Sequence, residues 1–291
     1  MLNLTVLPNT DGVSRTAYIY FVKVTDMESI VVEMVTIIQR GEVASESTDY
    51  SSDKKVRVLQ TAKLGKGLPI VLMGDGFIDT EINDGTYDAV MDKAFENLFT
   101  EEPIKSLRDY FNVYAVTAVS ANNTFGDGYS TAFSCELEGG NSTGISGEDN
   151  AVQRYVQCVD NIDMSETLAV VILNSPAYAG TTYFGYTNQT KVVEFAIAYC
   201  PVIYDLQSES FRQVLVHEAV GHGFAKLEDE YAYQENGTIS SKEIKNVQYL
   251  QTLGWAQNVD FTSDPSQVLW SAFLNDNRYV SEKLGVFEGA C

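Results

Sequence analysis

Four short apolar runs do most to limit how this chain of 291 residues can fold. Residues 68–73 (LPIVLM), 112–120 (NVYAVTAVS), 168–173 (LAVVIL) and 192–202 (VVEFAIAYCPV) are rich in β-branched side chains, and each reads as a strand. Between them, residues 87–111 carry apolar positions at helical spacing, interrupted at Pro103, and residues 150–159 form a second helical stretch. Strands alternating with helices predict an α/β (α+β) layer structure built on a mixed sheet. No internal repeat period is visible.

Composition narrows the class further. With 45% apolar and 20% charged residues, the chain has ordinary globular chemistry, which argues against a disordered or fibrous protein. No stretch approaches 18 uninterrupted apolar residues, so no membrane-spanning segment is expected. The formal net charge of −21 repels nucleic acid and anionic membrane surfaces. Four cysteines do not make a disulfide scaffold. Cys135 and Cys158 could pair, Cys200 sits in an apolar run as a core thiol, and Cys291 is the last residue. No CxxC occurs, which excludes a cysteine-based zinc ribbon.

The N-terminal part has its own character. Residues 14–22 (SRTAYIYFV) and 30–40 (IVVEMVTIIQR) read as strands flanking a polar turn, and residues 42–55 have the polar, aperiodic composition of a linker. Residues 1–45 are therefore expected to be a small β segment, either a hairpin or a β-sandwich remnant, and residues 46–291 the main domain. The N-terminus, MLNLTVLPNTDG, lacks the basic start and apolar core of a signal peptide.

The segment that carries chemistry lies at 211–225 (FRQVLVHEAVGHGFA), which reads as a helix opened by a capping box at Ser210 and Gln213. Both histidines of the chain, His217 and His222, fall within it, with Glu218 beside the first. Neutral imidazole is the commonest protein ligand for zinc, and two on one helix face can grip a single ion. The spacing of five is unusual, because an ideal α-helix places such residues about 140° apart. A π-bulge makes residues i and i+5 neighbours, and Gly221 sits where that distortion is cheap. An HExxGH segment of this form occurs in dipeptidyl peptidase III enzymes.

These residue types assign roles. His217 and His222 bind one Zn2+, an open position holds water, and Glu218 acts as general base. A third ligand is required, and the following run Glu228-Asp229-Glu230 offers carboxylates. By analogy with metzincins, Asp229 is preferred and Glu230 is the alternative, the other then orienting a histidine nitrogen. Asp75, between glycines after a strand, reads as a turn or cap residue, and Tyr231 and Tyr233 as packing residues.

The segment HEAVGHGFAKLEDEY (217–231) resembles the IgA-peptidase family of zinc metallopeptidases, metallopeptidase family 64. The likeness runs from about Val56 to Ala290 and includes Leu72-Met73-Gly74-Asp75-Gly76-Phe77, the stretch from Glu102-Pro103 through Arg108 to Tyr114, Asn174 through Tyr178-Ala179-Gly180, and Leu284-Gly285-Val286-Phe287-Glu288-Gly289. Residues 14–40 resemble, over a short span, the closing strands of a BACON-type β-sandwich. The family resemblance implies a zincin-like catalytic domain with an active-site helix. It also implies one bound zinc and hydrolysis of extracellular polypeptides by a secreted, periplasmic or cell-surface bacterial enzyme. Residues 193–200 would be the edge strand that pairs with an extended substrate. Where relatives continue past GVFEG this chain stops at Cys291, so it reads as a fragment. The alternative function is a catalytically silent module that binds zinc, or a surface glycan or protein.

Overall fold

A computed structural model describes residues 15–24, 29–39, 45–139, 142–188, 191–230, 239–281 and 284–288. Tyr231, Tyr233 and Cys291 lie outside the described residues. At the N-terminus β1 (Arg15–Val24) and β2 (Ser29–Gln39) pair antiparallel, from Arg15 opposite Gln39 to Val24 opposite Ser29. Among the described residues this ribbon is separate from the main sheet.

Along the chain follow β3 (Val56–Gln60), β4 (Leu68–Asp75), helices α1 (Asp79–Asn83) and α2 (Thr86–Leu98), and β5 (Phe111–Val116). A small hairpin of β6 (Glu136–Leu137) and β7 (Ile145–Ser146) precedes α3 (Asp149–Val156). Then come β8 (Leu168–Leu173), β9 (Thr181–Asn188), β10 (Lys191–Pro201), α4 (Glu209–Leu215), a π-helix (Val216–Phe224), α5 (Ser241–Thr252) and α6 (Ser271–Leu274).

Six strands form the main sheet in the order β3-β5-β4-β8-β10-β9. The central strands run parallel, whereas β3 and β9 are antiparallel to their neighbours at the two edges. Successive strand side chains point to opposite faces, so a strand covered on both sides must be apolar throughout. That is why LPIVLM and LAVVIL do not alternate. Ile70, Leu72, Val170 and Ile172 pack with α2, α4 and the π-helix on one face. Val71, Met73, Val171 and Leu173 pack with α3 and Phe133 on the other.

Three expectations are corrected. Residues 193–200 are not at the edge: β10 lies between β8 and β9, and the edge is β9, with Thr181 opposite Tyr199. The sequence of β9, TTYFGYTN, has small and polar residues in place of an apolar run. The second correction concerns the polar segment near 42–55, which from Ser45 on is bound to the domain. Asp79 Oδ2 accepts the N–H groups of Thr48 and Asp49 at 2.9 and 2.8 Å, and Asp53 Oδ1 accepts from Val119 N and Tyr155 Oη at 3.0 and 2.8 Å. Its serines and acids are hydrogen-bonding groups for loop backbone rather than a solvated tether. Third, Cys135 and Cys158 are both free thiols. Cys200 is buried in the core as expected.

Asp75 is more than a turn residue. It is fully buried, and its carboxylate accepts from Thr131 Oγ1, Phe133 N and Cys135 N at 2.8, 3.0 and 3.1 Å, which ties the 131–135 loop to the end of β4.

Candidate metal centre

The helix that carries the histidines starts earlier than its sequence indicates. Ser208, in extended conformation, is the N-cap, and its Oγ accepts the Phe211 N–H at 3.0 Å. Ser210 already lies inside α4, and the Gln213 amide donates to Glu209 rather than closing a capping box. The buried side chains Phe211, Val214 and Leu215 fix the rotation of α4 against the sheet.

From Val216 the helix widens to π geometry and keeps it through Phe224. This brings residues five apart onto one side of the axis, and the Nε2 atoms of His217 and His222 stand 3.1 Å apart. The glycine demanded by packing is Gly223, not Gly221. A Cβ on Gly223 would lie 2.6 Å from Leu168 Cδ1, whereas one on Gly221 would meet only the Val216 carbonyl at 3.9 Å. Close approach of the π-helix to β8 therefore depends on Gly223.

After the helix the chain reverses. Lys226 is buried in the left-handed region at φ 54°, and its ammonium group donates to the Gly223 carbonyl. The next residues then run back past the histidines. The Leu227 carbonyl lies 2.6 Å from His222 Nδ1 and so holds that nitrogen as the proton donor. This tautomer leaves the Nε2 lone pair directed at the cluster. Phe184 of β9 lies parallel to the His222 ring, with centroids 6.3 Å apart.

Asp229 completes the group, its Oδ1 lying 3.3 Å from His217 Nε2 and 3.2 Å from His222 Nε2. That oxygen is shielded from solvent and has no hydrogen-bond partner. A buried carboxylate oxygen normally has one, so an oxygen of this kind beside two imidazole nitrogens fits the donor set of a cation site. The separations agree as well. Three ligands at zinc distances on a tetrahedron stand about 3.3 Å apart. Glu230, the alternative ligand, is exposed and turned away, its Oε1 accepting from Asn258 Nδ2 at 2.9 Å. It orients neither histidine; for His222 the Leu227 carbonyl does so.

Glu218 is buried under the edge strand. Thr182 Oγ1 lies 2.7 Å from its Oε2 and 2.9 Å from its backbone carbonyl. Burial raises the Glu218 pKa above the ordinary carboxylate range, opposed by the Thr182 hydroxyl and by the histidines. Gly180 makes room for this carboxylate, because a Cβ there would fall 2.8 Å from Glu218 Oε1.

Sequence reasoning missed Thr182, Gly180, Phe184 and Asn258. Only Gly180 carried a signal, as part of the family-like Tyr178-Ala179-Gly180. Asn258 holds the turn that carries Asp229, donating to the Glu228 carbonyl at 2.8 Å and accepting the Glu228 N–H at 3.0 Å.

Fold and site together define an α/β protein with three donor atoms grouped closely enough to hold one metal ion. The chain belongs to the IgA Peptidase M64 family, which matches it over residues 56–283. It is therefore a peptidase, and a polypeptide is its substrate. No curated protein matches the chain. Among the described residues no helix is long and apolar enough to cross a membrane.

Proposed function

We propose that the chain is a zinc-dependent endopeptidase of zincin-like architecture that cleaves extracellular proteins, working outside the cytoplasm of a bacterium. Residues 46–291 would be the catalytic domain and residues 1–45 a preceding β unit. The observation that carries this proposal is the convergence of His217 Nε2, His222 Nε2 and the orphaned Asp229 Oδ1 beside a buried glutamate. His217, His222 and Asp229 would hold the ion. A bound zinc supplies Lewis acidity toward water and toward a scissile carbonyl.

The chain's own residues do the rest. Glu218 accepts the proton of the attacking water and returns it to the leaving amine. Thr182 fixes the Glu218 carboxylate, and the Leu227 carbonyl fixes the His222 ring. As the edge strand beside the helix, β9 has one side of its backbone unpaired by any strand among the described residues, and that side would receive an extended peptide.

Glu218→Gln tests the assignment. Hydrolysis of a peptide library should fall by about 10²–10⁴-fold, the usual range for removal of a general base, while metal content stays unchanged. Cleavage at the wild-type rate would overturn the role given to Glu218.

A further inference from the structure

Next to the donor cluster lies a hollow of about 860 Å³. Leu227, whose carbonyl orients His222, and Glu230, the neighbour of Asp229, form part of its lining. The hollow thus borders the turn that carries Asp229, on the side lined by Leu227 and Glu230. Its walls combine two kinds of surface. Trp270, Phe273, Tyr279 and Phe287 supply aromatic area. Trp270 is pinned by its Nε1–H donating to the Gly285 carbonyl at 2.9 Å, and Phe273 meets Tyr279 edge to face at 5.6 Å. Glu102, Glu230, Asp260 and Glu288 supply carboxylates, and none of the described lining residues is Lys or Arg.

This pairing selects an occupant. Among the described residues Glu102, Glu230 and Asp260 accept only from neutral N–H groups, so a purely apolar side chain would use the rings but bring no cation to the four like charges. An acidic side chain would be repelled by them. A long cation satisfies both surfaces, its methylene stem lying on the aromatic faces and its charged head meeting the carboxylates. The exposure of Phe287 and Phe273, at 78% and 46%, leaves ring surface open to such a stem.

We propose that the hollow binds the side chain of an arginine or lysine flanking the scissile bond of the peptide substrate. Its position relative to the cleaved bond rests on the peptidase function above, but the binding of a cation does not.

The test therefore has two arms, both on the zinc-loaded protein. In the first, calorimetry compares N-acetylarginine amide with N-acetylcitrulline amide, its neutral isostere. Arginine should bind at least about ten-fold more tightly, and the exposed pair of changes Glu102→Gln and Glu288→Gln should reduce that ratio to below about three-fold. In the second, mass spectrometry maps the cleavage of a mixed peptide library. Cut sites should cluster next to Arg or Lys in wild type and lose that bias in the double variant. Equal affinity for the two amides, or cleavage with no basic preference, would overturn the proposal. A library left uncut while arginine amide still binds selectively would count against the peptidase function and leave the cation pocket standing.

Discussion

Replacing Gly180 with alanine adds a single carbon at the point where β9 leaves the loop and passes over Glu218. That carbon would stand 2.8 Å from Glu218 Oε1, 2.9 Å from Glu218 Cγ and 2.7 Å from Val214 Cγ1, where ordinary contact begins at 3.4 Å. About 0.6–0.7 Å must be found in a close-packed interior. The backbone there is not in the left-handed region, so the cost is steric alone. Strand β9 is held by β10, and Val214 is packed in the core. The carboxylate end of Glu218 is the softest of these elements, and moving it stretches the 2.7 Å bond from Thr182. A misplacement of about 1 Å in a catalytic group can cost about 10²-fold, so kcat/KM should fall by about ten- to a hundred-fold. Overpacking should lower stability by about 1–3 kcal/mol. For a domain of this size each kcal/mol lowers the Tm by about 2–4 °C. The assay is hydrolysis of a quenched-fluorescent peptide mixture, with zinc content and thermal melting measured on the same samples. Zinc should stay at the wild-type level, because the three atoms nearest the added carbon belong to Val214 and Glu218 and not to a candidate ligand. Full activity in a folded, zinc-loaded Gly180→Ala protein would refute the account of how Glu218 is positioned.

Two further outcomes are expected. Thr182→Val keeps the shape of the side chain but removes the donor to Glu218. Hydrogen bonds to charged groups are worth about 1.5–3 kcal/mol, so kcat should fall about ten- to a hundred-fold with KM little changed, and steady-state kinetics reads that split. Asp79 accepts the N–H groups of Thr48 and Asp49, which hold its pKa below the ordinary carboxylate range. Its folded-state pKa thus lies below that of the unfolded chain. The stabilisation is present above the unfolded value and is lost as pH falls through the folded one. Urea midpoints measured from about pH 5 to about pH 3 should fall less steeply for Asp79→Asn than for wild type. Equal slopes would show that Asp79 does not anchor the 45–55 segment.

Much of this architecture is legible along the chain because both faces of the central strands are buried. An uninterrupted apolar run such as LAVVIL has few other uses, and β8 occupies the span expected for it. The π geometry is legible from chemistry, since His217 and His222 could share a ligand only if residues five apart became neighbours. What stays hidden depends on tertiary contact. The polar β9 reveals itself as a strand only once β10 is there to pair with it. Thr182 is one of many threonines until the fold sets it on Glu218. The docking of residues 45–55 depends on Asp79, which lies more than twenty positions downstream in an unremarkable helix start. For the third donor, order along the chain favours Asp229, and the turn held by Asn258 explains how Glu230, one residue further, comes to face away.

The most direct measurement is the zinc content of the purified protein, by elemental analysis of wild type and His222→Ala side by side after reconstitution at neutral pH. About one equivalent in wild type, lost in the variant with its fold intact, is the predicted result. Wild-type protein that takes up no zinc, or a His222→Ala variant that retains it, would contradict the assignment of the ion to His217, His222 and Asp229.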